Sequence, residues 1–173
     1  MKMPFDLADS LQSDLAEWLP IDNPNPMHFV YDNIDKRRNA RTNWQIAVDL
    51  LYRLLIANLL ELWPDSMLGG FNAPEFPVKA LRFCEVLAQI DPAGGEAYEI
   101  HSLEYHLPWV GFDLCLTNTT RCLLAKHGLV WSKDKDMPFN EAFIEDIEAM
   151  FELHGVAWSD TPLIPIRAEL INR

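Results

Sequence analysis

Trp44-Gln-Ile-Ala-Val-Asp49-Leu-Leu-Tyr-Arg53-Leu-Leu-Ile-Ala-Asn58-Leu-Leu-Glu61-Leu-Trp63 is the most apolar stretch of the chain, and its reading decides the fold. Asp49, Arg53, Asn58 and Glu61 interrupt it. Two charges near the centre of a membrane span would be expensive in lipid. A buried core helix is therefore expected, with Thr42 or Asn43 as its cap and an end near Leu62, before Pro64. Its apolar positions nearly encircle it, so other elements should surround it. Asp49 and Arg53 are spaced i,i+4 and can pair on its one polar stripe.

Upstream, Leu7, Ala8, Leu11, Leu15, Trp18 and Leu19 recur at helical intervals and predict a helix from about Asp6 to Leu19. Asp6, Asp9, Ser10, Ser13, Asp14 and Glu17 fall on its other side. Pro20, Pro24 and Pro26 then enforce an extended connection. The segment from Met27 to Ala40 reads either as a short helix or as a packed loop. Downstream, the glycines and prolines from Trp63 to Pro77 mark a loop, and a helix follows from about Glu75 to Ile90. Glu96 to Leu107 fits neither the helical nor the strand period. Asp113 to His127 reads as a helix stopped by Gly128. Asn140 to His154 reads as a helix capped by Asn140 and stopped by Gly155. Val156 to Arg173 reads as an extended tail with an alternating Leu163, Ile164, Ile166 run. The expectation is a mostly α fold: one irregular helical bundle of about five helices with long loops, spanning 1–173, with room for a short β element near the C-terminus.

At 173 residues and 19.9 kDa, the chain can bury a core without staples. Its 49% hydrophobic content excludes a disordered tail or a fibre. The formal charge of −12 opposes general nucleic-acid or anionic-membrane binding. Cys84, Cys115 and Cys122 are odd in number and form no paired doublets. They point to a reducing compartment and to structural, buried thiols. The start of the chain lacks the basic and apolar regions of a secretory signal. A cytoplasmic protein is expected.

His101, Glu104 and His106 sit close together, but the five-residue histidine separation puts the rings about 140° apart on a helix. A zincin needs i,i+4, and the inverted motif needs the glutamate directly before the second histidine, where Tyr105 stands. A metal-assisted hydrolase using these three residues is the enzymatic alternative. No nucleophile elbow, phosphate loop, calcium loop or Glu-x-Lys pair occurs, and neither a catalytic site nor a cofactor is expected. Lys36, Arg37, Arg38 and Arg41 lie beside Asp32 and Asp35 and read as a solvated, paired stretch. Trp109, Trp131 and Trp158 read as core residues, or as anchors of an adaptor subunit.

The acids are unevenly placed. Seven lie between Met3 and Asp35, and seven between Asp136 and Pro165, with no Lys or Arg in either stretch. Glu141, Glu145, Glu148 and Glu152 fall within about 60° on one helix face. Like charges at i,i+4 are locally unfavourable. With Asp14 and Glu17 on the first helix, they form a candidate surface for a basic protein partner, because such surfaces steer association.

Through Asp6-Leu-Ala-Asp-Ser-Leu-Gln-Ser-Asp-Leu-Ala-Glu17 and Glu141-Ala-Phe-Ile-Glu-Asp-Ile-Glu148, the chain resembles in general profile the small acidic immunity proteins that bacteria keep against secreted nuclease toxins. The resemblance implies inhibition of one cognate toxin by direct binding.

Overall fold

The central helix stops at Ile56, short of the expected Leu62, because Asn58 takes a left-handed φ of 54°. Its N–H donates to Leu55 O at 3.1 Å, and the N–H of Leu59 donates to Leu54 O at 2.8 Å. This is the Schellman closure, with asparagine in the place usually held by glycine. The computed structural model describes residues 2–18, 24–31, 39–63, 78–92, 109–129 and 137–167. Among them are six α-helices: α1 Phe5–Ser13, α2 His28–Tyr31, α3 Ala40–Ile56, α4 Val78–Leu87, α5 Asn118–Lys126 and α6 Glu141–Leu153. The protein is mostly α. A single π-helical turn, Asp14–Trp18, continues α1.

Beyond Asn58 the chain becomes a strand. Leu60–Trp63 (β1) pairs antiparallel with Asp113–Leu116 (β2), Leu60 opposite Leu116 and Trp63 opposite Asp113. Alternation sends Leu60, Leu62, Leu114 and Leu116 into the core. Glu61, Trp63, Asp113 and Cys115 face outward. Among the described residues the β element therefore lies at 60–63 and 113–116 rather than near the C-terminus. The helix expected from Asp113 begins only at Asn118, where Thr117 Oγ1 accepts the Thr120 N–H. Cys115 and Cys122 accordingly share no helix, and Cys122 is exposed, against the expectation of a buried thiol.

The helix ends follow local rules. Asn39, upstream of the expected Thr42 or Asn43, caps α3 by accepting the Thr42 N–H at 2.8 Å. Asn140 caps α6, its Oδ1 accepting the Phe143 N–H at 3.0 Å. Gly128 and Gly155, at φ 66° and 72°, close α5 and α6 with the same pair of hydrogen bonds seen at Asn58. The residue after each left-handed position, Leu59, Leu129 or Val156, is buried. That placement supplies the apolar contact that accompanies this closure.

Helix α3 is the hub, packed against α2, α4, α6 and β1. Its polar stripe holds the extended segment that comes after α6. Gln45 Nε2 donates to Ile164 O at 2.9 Å, and Gln45 Oε1 accepts the Ile166 N–H at 3.0 Å. Asp49 Oδ1 accepts the N–H groups of Leu163 and Ile164 at 3.1 and 3.2 Å. Arg53 is fully buried. It donates to Asp49 O at 3.0 Å and stacks 4.7 Å from the Trp158 ring centroid. Burial pushes the Asp49 carboxyl up and pulls the Arg53 guanidinium down, each partly offset by the other's charge. The expected Asp49–Arg53 pair is present, at 3.7 Å between Nη1 and Oδ2.

Candidate protein-binding surface

Helix α6 is amphipathic in the way its sequence predicts. Phe143, Ile147 and Phe151 are fully buried, and Glu141, Glu145 and Glu152 are exposed on the opposite face. Glu148 is half-buried. Two of the four carboxylates have partners among the described residues. Lys2 Nζ lies 3.2 Å from Glu145 Oε1, and Glu148 Oε1 accepts the N–H of Met3. The Lys2 ammonium is held above its usual range by Glu145, with Glu141 and Glu148 adding to the effect. Glu141 and Glu152 are the freest carboxylates of the stripe.

On the flank of the same helix, Asp146 Oδ2 meets Lys126 Nζ at 2.5 Å and His127 Nε2 at 2.6 Å. These hydrogen bonds, Lys126 first, hold the Asp146 carboxyl below the usual carboxylate range. They clasp the end of α5 to the middle of α6.

The α1 half of the expected surface needs correction. Asp14 is only 1% exposed, 3.3 Å from His28 Nε2 inside the protein, and cannot meet a partner. Asp14 follows the buried Leu7 by seven residues, two α-helical turns, and so sits at the edge of the face that α1 buries. Glu17 is half-buried, while Asp6 and Asp9 are exposed. Acidic surface on this helix therefore comes from its first two turns.

Trp109 is fully buried, its Nε1 donating to Ile90 O at 2.9 Å, and Trp158 packs over Arg53. Neither is an exposed anchor. Among the tryptophans whose exposure is described, Trp63 is the exposed one, at 62%, on the outer face of a strand rather than at the end of the core helix. Its signal is the alternation Leu-Glu-Leu-Trp at 60–63, hidden by the apolar run before it. His101, Glu104 and His106 lie outside the described residues, as do Lys36, Arg37, Arg38 and Trp131. Arg41 is exposed at the start of α3. Among the described residues no group of three His, Cys, Asp or Glu is placed to hold a metal ion. No described helix is long and apolar enough to cross a membrane.

No family model, curated protein or solved structure matches this chain.

Proposed function

We propose that the chain is an inhibitory binding protein that acts in the cytoplasm and neutralises a basic protein partner, in the manner of immunity proteins that block secreted nuclease toxins. The observation that carries this reading is the outward face of α6. There Glu141, Glu145 and Glu152 stand exposed over a fully buried inner face, with Lys2 the one described base ion-paired to the stripe. A fixed row of carboxylates on a rigid helix attracts a basic surface at long range and raises the association rate. Half-buried Glu148 lies on the same helix, and Glu17, half-buried in the turn after α1, is the candidate from the first helix. A groove that binds nucleic acid is a natural target, because a carboxylate row can occupy the positions of phosphates.

The test is co-expression with a basic nuclease toxin encoded beside this gene. The chain should restore growth and inhibit the purified nuclease. Glu141→Lys with Glu152→Lys should abolish protection without altering the circular dichroism spectrum. A double variant that protects like the wild type removes α6 from the interface. A wild-type chain that neither binds nor inhibits the toxin refutes the reading.

A further inference from the structure

The sheet presents one face to the core and the other to solvent, and the solvent face has an unusual composition. Trp63 is 62% exposed and stands directly across the strand pair from Asp113. Glu61 lies two residues along the same strand, on the same face, opposite Cys115. Side chains directly opposite in an antiparallel pair have Cβ atoms about 5 Å apart. One carboxylate thus flanks the indole across the sheet and another flanks it along the strand. Neither Glu61 nor Asp113 forms an ion pair among the described residues.

We propose that this outward face of β1 and β2 is a receptor for an arginine- or lysine-rich segment of the basic partner, with Trp63 as its anchor. The proposal rests on the reading of the chain as an inhibitor of a basic protein and adds a second contact to the α6 stripe. A tryptophan face attracts a guanidinium or ammonium within about 6 Å of the ring centroid. The two carboxylates supply charge-assisted hydrogen bonds to the same cation. Tryptophan is also the residue type most enriched among interface hot spots. A second copy is the poorer occupant, since a chain of net charge −12 opposes its own approach at long range.

The test is a nuclear magnetic resonance titration of the full chain with an oligo-arginine peptide, with oligo-glutamate as control. The expected result is perturbation of Glu61, Asp113, Cys115 and the Trp63 indole N–H. Trp63→Ala should weaken binding by about tenfold or more. Glu61→Gln with Asp113→Asn keeps the indole and should reduce the salt dependence of binding. Wild-type affinity in both variants overturns the proposal, and so does self-association through Trp63 in sedimentation. If the peptide perturbs Glu141 and Glu152 but not the sheet, this placement fails while the basic-partner reading stands. If it binds nowhere, both fail.

Discussion

Gln12 of α1 holds the residue that caps α6: the N–H of Asn140 donates to Gln12 Oε1 at 2.7 Å. The other half of the same amide, Nε2, donates to Pro138 O at 3.0 Å. One buried side chain thus pairs with two backbone groups of the extended approach to α6, as a neighbouring strand would. Gln12→Ala leaves a backbone donor and acceptor without these partners and should cost about 2 kcal/mol. Gln12→Glu keeps the acceptor and loses the donor. It should also be destabilising, because it places a second acceptor against Pro138 O. Urea unfolding of the three proteins checks the order.

Asn58 sets where α3 ends. An alanine there adopts the left-handed conformation at a cost of roughly 1–2 kcal/mol. It also loses the hydrogen bond from Asn58 Nδ2 to Thr119 Oγ1. Asn58→Ala should lower thermal stability clearly, and Asn58→Gly much less, since glycine takes that conformation freely. Equal losses in the two variants would show that the Thr119 contact, not the backbone, is what matters.

The four glutamates of α6 should separate into two pairs. Glu145→Lys with Glu148→Lys breaks the attachment of Lys2 and Met3 and should cost roughly 1–3 kcal/mol, mostly from the charge-assisted bond at Glu148. Glu141→Lys with Glu152→Lys should leave unfolding unchanged, because both side chains are exposed. With a basic partner, the second pair should slow association and flatten its salt dependence. Chemical denaturation and stopped-flow association read the two effects independently.

The clasp on Asp146 predicts a pH dependence of stability. Its carboxyl is held below its ordinary value of 3.8 in the folded protein. A depressed carboxylate contributes stability that is complete above its unfolded value and is lost as pH falls through the folded one. The contribution should therefore be full above about pH 4 and fade below it. Asp146→Asn should lower stability at neutral pH and make the decline below about pH 4 shallower. An acid limb identical to the wild type's would exclude Asp146 from it. Asp49 works in the opposite sense. Its carboxyl is raised by burial, so its ionisation weighs against folding as pH rises through the folded value.

Local rules made much of the fold legible in the sequence. The α6 helix, its Asn140 cap and its Gly155 stop are set by neighbouring residues. The buried face of α1 and the Asp49–Arg53 pair follow from helical spacing alone. The end of α3 does not, because asparagine in the left-handed region does not announce itself as glycine does. The strand at 60–63 depends on pairing with 113–116, and no window of sequence contains both. Helical spacing leaves Asp14 at the border of the two faces of α1, and its burial comes with packing beside His28, a neighbour that spacing does not reveal. For the α6 stripe, the sequence supplies the face but not its internal partners, which come from residues 2 and 3 at the other end of the chain.

The side chains of Gln45 and Asp49 meet the segment 163–166 through its peptide groups, not its side chains. The information that places this stretch is thus written on α3, and the stretch itself is nearly illegible as an address. Only Ile164 and Ile166 turn inward, while Leu163 and Pro165 are exposed. A saturation scan should read accordingly. Two intolerant positions would alternate with permissive ones along the segment, and the strictest requirement would fall on a glutamine and an aspartate more than a hundred residues upstream. In descendants of this chain the segment could drift almost beyond alignment and still be seated in the same place, provided those two side chains stayed.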